Sequence, residues 1–392
     1  MRDVVIVGAA RTPQGKMNGA LSSLSAVELG VVAAKAALTA SGVDRSEIKH
    51  CLFGQVLQAG AGQNPARQIA IGAGLGWDVV STTINKLCLS GSSAIIDAAR
   101  LVQAGEADVV LAGGTESMSQ APHLMVGSRK GYNFGDIVVR DHMALDGLAD
   151  AFDKASMGAC TQVHTSDRGI DRAAQDEIAA ESHRRAAAAT ASGTFTDEIA
   201  PVTMVDRKGN ETVIVADEGI RPETTTESLA RLKPAFDAAG TITAGNSSQI
   251  SDGAAAVVVA SAEYAQQHGL QVLARVVAWG IVAGPDNSLL SQPSAAITAA
   301  LAKSNWSLDQ LDVIEINEAF ASVALQSMKD LGLSSDRVNK EGGAISLGHP
   351  IGASGTRLVV HAVHQLNKSG GGKAAIALCG GGGQGDAILL QA

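Results

Sequence analysis

An internal repeat is the feature of this 392-residue sequence that most constrains its fold. Residues 37–54 show an apolar helix end, a short polar turn and an apolar strand, and residues 300–317 repeat this pattern at a constant offset. A repeat of this kind indicates that one supersecondary unit occurs twice. Because each copy must bury its apolar face, the repeat predicts two similar α/β halves packed against each other.

Each half continues with a further strand–helix–strand unit. In the first half, a strand at 82–85 leads through Cys88 into a helix, and a second strand follows at 108–112. In the second half, the corresponding helix begins near Ser354, and the strand at 374–379 ends in a run of four glycines. Strands that alternate with helices favour a parallel sheet, so we expect largely parallel central strands.

The halves differ by a long insertion in the first. In the second half the glycine run leads directly into a last strand at 386–390, whereas the equivalent strand of the first half, at 253–259, comes much later. We therefore predict three units. They are an N-terminal half (1–117 plus 250–268), an inserted loop domain (118–249) and a C-terminal half (269–392).

Composition and charge narrow the class of protein. Hydrophobic residues make up 46% of the chain and charged residues 18%, which is enough apolar material for a large core. The net charge of −9 argues against nucleic-acid and membrane-surface binding, and no apolar run is long enough to span a membrane. The four cysteines are widely spaced without zinc-binding patterns, which favours free thiols, no metal and a reduced, cytoplasmic protein.

Cys88 and His349 are the first candidates for chemistry. Cys88 lies between a predicted strand and a helix N-terminus, where N–H groups and the helix dipole stabilise an anion. A thiol there is expected to titrate low and act as a nucleophile, and the alternative is a buried structural cysteine. His349, in Gly348-His349-Pro350, precedes the matching helix of the second half. Equivalent strand–helix junctions meet in a duplicated fold, so we expect Cys88 and His349 to meet; taken alone, His349 would be a turn residue.

Two further candidates lie at strand ends. Cys379 ends a strand before the glycine run, where bare backbone gives a ligand access, and a core thiol is the alternative. Asn317 begins the sequence Asn-Glu-Ala-Phe directly after the strand 313–316, at the carboxyl edge where α/β sheets place their sites. The convergence of these candidates on one edge predicts an active site.

Two apparent nucleotide-binding motifs are rejected. Gly380-x-Gly382-x-x-Gly385 fits the dinucleotide pattern, but a terminal strand follows it instead of a helix able to hold a pyrophosphate. The segment from Gly8 to Lys16 resembles a phosphate-binding loop with the wrong spacing, and Met17 replaces the hydroxyl residue that such a loop needs.

Five motifs together resemble the thiolase family: Asn-x-x-Cys-x-Ser-Gly around Cys88, Gly-Gly-x-Glu-Ser-Met at 113–118, Asn-Glu-Ala-Phe at 317–320, Gly-His-Pro at 348–350, and Cys379 before its glycines. With the duplication and the insertion, the resemblance covers the whole chain. It implies an α/β fold layered α-β-α-β-α. It also implies an acetyltransferase of lipid metabolism that condenses two acetyl-CoA to acetoacetyl-CoA and coenzyme A, and catalyses the reverse thiolysis. A homotetramer that needs no cofactor beyond its thioester substrates is expected. The resemblance implies that the inserted loop domain (118–249) binds coenzyme A and makes the oligomer contacts.

The resemblance also implies catalytic roles. Cys88 would accept the acyl group, His349 would accept the thiol proton, and Cys379 would move the α-proton of the second acetyl-CoA. Oxyanions of the reaction need hydrogen-bond donors. His349 with a water held by Asn317 would serve one oxyanion, and the backbone N–H groups of Cys88 and Gly381 or its neighbour would serve the other.

Coenzyme A contacts follow from the same resemblance, at Leu148, Met157, Arg221, Ala244, Gly245, Ser248, Ala319 and Phe320. Arg221 would pair with a phosphate or stack on adenine, although without the resemblance it would be a solvated surface charge. Short-chain members carry His-Met where this chain has Ser156-Met157. Met157 still predicts a small acyl pocket, and the missing His bears on the choice of substrate.

Three other functions stay open at this stage. A longer-chain 3-ketoacyl-CoA thiolase of fatty-acid degradation is the nearest alternative. A catalytically silent acyl-CoA-binding or lipid-binding member of the fold would not require Cys88, His349 and Cys379 together. A decarboxylating ketosynthase usually pairs one Cys with two His, and Cys379 does not fit that pattern.

Overall fold

A computed structural model describes residues 2–205 and 208–392 of the chain. The strands are β1 (Val4–Arg11), β2 (Gly15–Lys16), β3 (His50–Gly54), β4 (Val80–Ile84), β5 (Val109–Ser117), β6 (His123–Leu124), β7 (Arg140–Asp141), β8 (Val202–Val205), β9 (Glu211–Ile214), β10 (Ser251–Ser261), β11 (Ala274–Ala283), β12 (Val313–Ile316), β13 (Lys373–Gly380) and β14 (Gln384–Gln391). The helices are α1 (Ala26–Ser41), α2 (Pro65–Gly72), α3 (Ser90–Ala104), α4 (Met157–Asp167), α5 (Arg172–Ala191), α6 (Thr226–Ala230), α7 (Ala262–Gln267), α8 (Gln292–Leu301), α9 (Ala321–Leu331), α10 (Ala344–Leu347) and α11 (Ser354–Lys368).

One large mixed sheet runs through both halves, in the order β12-β13-β14-β11-β1-β10-β5-β3-β4, with β2 paired to β10. The expectation of largely parallel central strands is wrong, because every neighbouring pair from β13 to β5 is antiparallel. Parallel pairing is confined to the outer strands, β12 with β13 and β3 with β4 and β5. Parallel neighbours need a crossover connection, and these outer strands are joined through helices, whereas β13 and β14 are joined by a tight glycine turn.

Helices α3 and α11 lie in the middle of the molecule, in a core shared with strands of both halves. On the outer side of the N-terminal half, α1 and α2 cover β1, β3, β5 and β10. On the outer side of the C-terminal half, α8 and α9 cover β11 to β14. These layers confirm the predicted α/β fold of two similar halves.

The two central helices meet at a pair of glycines. A Cβ atom on Gly91 of α3 would lie 2.7 Å from Thr356 Oγ1, and one on Gly355 of α11 would lie 2.4 Å from the backbone nitrogen of Ser92. Only glycine allows this approach of the two backbones. Because both glycines lie in the first turn of their helices, the two strand–helix junctions come together, as the repeat predicts.

The long insertion leaves the sheet after β5 and returns as β10, its antiparallel neighbour. It contains α4, α5, α6 and two small hairpins. A buried ion network fastens it to the sheet: the guanidinium of Arg11, on β1, donates to Glu198 at 2.6 Å and to both carboxylate oxygens of Asp217. Within residues 2–205 and 208–392, no helix has both the length and the apolar character needed to cross a membrane.

Candidate active site

A tight turn between β4 and α3 presents Cys88. Leu87 adopts a left-handed backbone conformation, with φ 53°, which costs a non-glycine residue about 1–2 kcal/mol. The Ser90 hydroxyl holds the turn, because it donates to the carbonyl of Leu87 at 2.6 Å and accepts from the backbone N–H of Lys86 at 2.9 Å. The strained turn therefore places Cys88, half-buried, in front of the helix.

The expectation that the Cys88 thiol titrates low is wrong. Burial among apolar neighbours raises the pKa of Cys88 to about 12, and the nearby Glu116 carboxylate raises it further, against the opposing effect of the backbone N–H groups of Cys88 and Gly381. Cys88 precedes the first turn of α3, so the helix N–H groups do not outweigh the loss of water. The Cys88 thiol is therefore neutral at rest. Both backbone N–H groups of the predicted oxyanion site nevertheless face its sulfur.

Cys379 lies beside Cys88. It is the next-to-last residue of β13 and is buried in an apolar cluster that includes Ala319 and Phe320. Burial raises the pKa of the Cys379 thiol, and the neighbouring Cys88 raises it further. The structure thus brings together the two thiols and Gly381, which follows Cys379 on the same glycine turn.

His349 is buried and neutral. Its Nδ1 lies 2.6 Å from the hydroxyl of Ser354, and that hydroxyl donates its single proton to the carbonyl of Pro350 at 2.9 Å. Nδ1 therefore carries the hydrogen and donates to Ser354, which leaves Nε2 as a proton acceptor. Burial, with the positive charge of Arg357, lowers the pKa of His349 to about 3.

Asn317 lies against the His349 ring. Its amide nitrogen is 3.4 Å from Nε2, and its backbone N–H donates to the carbonyl of Ala377. The Asn317 Oδ1 is buried and has no hydrogen-bond partner among the described residues. A buried acceptor without a partner costs about 1–3 kcal/mol, so this oxygen is available to a hydrogen-bond donor brought by a ligand.

Cys88 and His349 do not occupy equivalent positions in the two halves. Cys88 lies three residues before the crossing glycine of its helix, and Gly352, not His349, lies three residues before Gly355. The repeat correctly predicts that the two junctions meet. His349 lies three residues before Gly352 in the sequence, next to Gly348, whose backbone φ is 113°.

Glu116 is a site residue for which the sequence indicated no role. It is completely buried, and its carboxylate accepts from the backbone N–H groups of Val56, Leu57 and Gly352 at 3.0, 3.1 and 2.9 Å. Burial raises the pKa of Glu116 to about 7. The carboxylate ties the loop after β3 to the turn after His349. The motif at 113–118 contains Glu116 and could have marked it as a site residue. Its hydrogen-bond partners could not be identified from the sequence, because they lie far away along the chain.

Four of the predicted coenzyme A contacts, Leu148, Met157, Ala319 and Phe320, lie in the apolar clusters of the two thiols. Leu148 packs into the apolar cluster of Cys88, and Met157 packs into that of Cys379. The loop that carries Ala244, Gly245 and Ser248 is joined to the Asn-Glu-Ala-Phe motif, because the backbone N–H of Ser248 donates to the carbonyl of Ala319 at 3.0 Å. Phe320 contacts the Phe236 ring edge-on, with centroids 6.2 Å apart.

Arg221 has a different local partner. Its guanidinium lies 3.0 Å from Nε2 of His183 on α5, and its backbone N–H lies 3.2 Å from Nδ1 of the same ring. The structure therefore anchors Arg221 on the insertion. It shows no contact between Arg221 and the two thiols.

A cavity of about 340 Å³ opens beside Gly381. Met157, Leu87 and Phe152 line it together with the glycine turn. Ser156, which stands in place of the family's histidine, caps α4 by accepting from the backbone N–H of Ala159 at 3.2 Å. No group of three His, Cys, Asp or Glu side chains arranged for a metal occurs in the described part of the chain.

Comparisons with known proteins agree with this geometry. The family model "Thiolase, N-terminal domain" matches residues 4–263, and "Thiolase, C-terminal domain" matches residues 270–392. A probable acetyl-CoA acetyltransferase of Mycobacterium tuberculosis is 55% identical over 392 residues, and an acetyl-CoA acetyltransferase of Cupriavidus necator is 46% identical; each alignment covers 100% of both chains. The crystal structure of the Bacillus anthracis acetyl-CoA acetyltransferase matches with a TM-score of 0.97 at 39% identity, covering 100% of this chain and 99% of the other. From its two halves, its paired thiols and these full-length matches, it follows that the chain belongs to the thiolase family.

Proposed function

We propose that this protein is an acetyl-CoA C-acetyltransferase, which condenses two acetyl-CoA to acetoacetyl-CoA and coenzyme A and catalyses the reverse thiolysis. The observation that carries the proposal is the placement of two thiols, Cys88 and Cys379, beside the N–H of Gly381. One thiol serves to hold an acyl group while the other moves a proton. Full-length relatives named acetyl-CoA acetyltransferase support acetyl as the group transferred.

In the first half-reaction, the Cys88 sulfur attacks the thioester carbonyl as its proton passes to Nε2 of His349. Because the thiol and the imidazole are both neutral at rest, proton transfer accompanies the attack. The oxyanion receives hydrogen bonds from the N–H groups of Cys88 and Gly381. The bond from the acetyl carbon to coenzyme A breaks, and the departing CoA thiolate takes the proton of Cys379.

In the second half-reaction, the Cys379 thiolate removes an α-proton from a second acetyl-CoA. Burial raises the pKa of Cys379, so its thiolate is a strong base once formed. The enolate oxygen is stabilised by the protonated His349 and by a water held at Asn317. The enolate carbon attacks the acetyl group on Cys88, and the released Cys88 thiolate recovers its proton from His349. All three residues then return to their starting states.

The coenzyme is proposed to lie along Leu148, Met157, Ala244, Gly245, Ser248, Ala319 and Phe320, with Arg221 at its adenine or phosphate end. The thioester substrates need no other cofactor. Met157 packs against the apolar cluster of Cys379, and the relatives named acetyl-CoA acetyltransferase favour a short acyl chain over the long chain of a fatty-acid-degrading thiolase.

A homotetramer in the cytoplasm is part of the proposal. Strand β4 ends the sheet with an open edge, and nearby Trp77 and Val80 are 80% and 59% exposed. On the insertion, Phe134 is completely exposed and Val126 is 66% exposed. Apolar surfaces of this kind usually become subunit contacts.

The four free cysteines suit a reducing compartment. Sedimentation equilibrium checks the assembly, and a stable monomer would contradict it.

A chain-length series tests the function. The purified protein is assayed for thiolysis of 3-ketoacyl-CoA substrates of four to ten carbons. Because Met157 packs beside Cys379, acetoacetyl-CoA should show a kcat/KM at least about tenfold above that of the ten-carbon substrate. An equal or higher kcat/KM for the ten-carbon substrate would identify the protein as a fatty-acid-degrading thiolase. Absence of thiolysis with every substrate would refute the proposed enzymatic activity.

A further inference from the structure

We propose that Asp386 is a positioning residue for the thiolase reaction. Together with Lys86 it would clamp the β13–β14 hairpin, which carries Cys379 and Gly381, to the turn that carries Cys88. The inference rests on the proposed function, because it concerns the relative placement of the two thiols.

The clamp is a set of direct contacts between the two halves. One carboxylate oxygen of Asp386 accepts from the ammonium of Lys86 at 2.7 Å. The other accepts from the hydroxyl of Ser93 at 3.0 Å and lies 3.0 Å from the hydroxyl of Ser92, whose single proton it shares with the carbonyl of Leu89 at 2.8 Å. Asp386 is completely buried and the Lys86 side chain is 22% exposed. A buried carboxylate with donors at both oxygens is held in one orientation, so the hairpin and the start of α3 are fixed relative to each other.

Steric contact supports the same alignment. A Cβ atom on Gly380 would lie 2.7 Å from Leu89 Cγ, and one on Gly381 would lie 2.8 Å from Leu87 Cδ1. The leucines on either side of Cys88 therefore rest directly on the hairpin backbone. This contact sets how close the hairpin approaches, but leucine on glycine resists sliding only weakly, since no side chain interlocks.

The hairpin turn needs such an anchor. Its loop consists of Gly381, Gly382 and Gly383, the last two with φ of 76° and 71°. Glycines add backbone freedom and supply no side chain to fix their place. Asp386 is the charged residue of the hairpin that contacts the N-terminal half. Because Lys86 precedes the strained Leu87, one ion pair holds the hairpin and the nucleophile turn together.

The test replaces Lys86, which lies at the edge of the site, by Met. If the clamp positions the thiols, Lys86→Met should lower kcat for acetoacetyl-CoA thiolysis about tenfold to a hundredfold, because a misplacement of about 1 Å costs that much. KM should change less than about twofold. Lys86→Arg keeps the ion pair and should restore kcat to within about threefold of wild type. Asp386→Asn should resemble Lys86→Met.

Lys49→Met is the matched control. It removes a lysine of the same half whose ion pair with Asp78 is exposed, and it should leave kcat unchanged. Hydrogen exchange supplies a readout that does not depend on activity: the amides of residues 380–386 should exchange faster in Lys86→Met and not in Lys49→Met. Unchanged exchange and a kcat within twofold of wild type in Lys86→Met would overturn the clamp, even if Asp386→Asn fails to fold. A wild-type protein without thiolysis would refute the proposed function instead, and the exchange comparison would still decide the clamp.

Discussion

Cys88 sits half-buried between apolar side chains and two backbone N–H groups, with its pKa raised to about 12. Its position at a helix N-terminus, taken alone, predicts a lowered pKa and a thiolate. The local sequence shows the helix but not the burial, because the apolar neighbours Val56, Leu57 and Ile351 come from other parts of the chain. Selective reactivity of Cys88 must therefore come from access of the reagent, not from a preformed thiolate.

Alkylation by iodoacetamide tests this directly. Cys88 should react before Cys51, Cys160 and Cys379, because those three thiols are buried whereas the Cys88 thiol is half-buried and reachable by the reagent. With a thiol pKa of about 12, the rate at Cys88 should rise about tenfold per pH unit from pH 6 to 9 without a plateau.

Peptide mapping by mass spectrometry at each pH gives the rates, and prior acetylation by acetyl-CoA should protect Cys88. A plateau below pH 8 would show a resting thiolate and contradict the neutral thiol. Faster modification of another cysteine would contradict the assignment of the nucleophile.

At the scale of elements, the sequence pattern placed the helices and strands well. The helix expected to begin near Ser354 is α11, and the strands expected at 253–259 and 386–390 are β10 and β14. The direction of the central strands was wrong, because pairing depends on which strands become neighbours, and the local alternation of strands and helices does not specify that. The roles of Glu116 and Asp386 could not be predicted for the same reason, since each contacts residues far away along the chain.

Helix α11 and the insertion share a buried ion network that should make stability depend on pH. His361 on α11 lies 2.9 Å from Glu198 and 3.3 Å from Glu341. Burial alone would lower the pKa of His361, but Glu198, Glu315 and Glu341 together raise it above the ordinary 6.5. The stabilisation from protonated His361 is therefore complete below about pH 6.5 and is lost as the pH rises through the folded-state pKa.

The melting temperature should thus fall from pH 6.5 toward pH 9, and it should fall less steeply in His361→Gln. Differential scanning calorimetry of both proteins measures the two slopes. The comparison between the two slopes removes the contribution of Glu116. Because the pKa of Glu116 is raised to about 7 in the folded protein, the free energy of unfolding also falls as the pH rises from about 4.5 toward 7. Identical slopes would show that His361 is not charged in the folded protein.

For the whole molecule, we propose that two similar halves supply different parts of one reaction. The N-terminal half supplies Cys88, on the turn before α3, and the C-terminal half supplies Cys379, Asn317 and His349. The duplication predicted from sequence alone that the strand–helix junctions near Cys88 and His349 meet. The division of labour between the two thiols is not visible in the repeat, because Cys88 and Cys379 do not occupy equivalent positions.

Rapid-quench measurement of acetyl transfer in Cys379→Ala tests that division most directly. Acetyl-CoA should still acetylate Cys88, because His349 and the N–H groups of Cys88 and Gly381 remain and the CoA thiolate can take a proton from water. Condensation and exchange of the α-hydrogens of acetyl-CoA with deuterated water should both fall by roughly 10²–10⁴-fold, the usual contribution of a positioned base. Cys88→Ala, the matched variant, should lose acetylation and turnover together. A folded Cys379→Ala protein that loses acetylation as completely as Cys88→Ala would contradict the account.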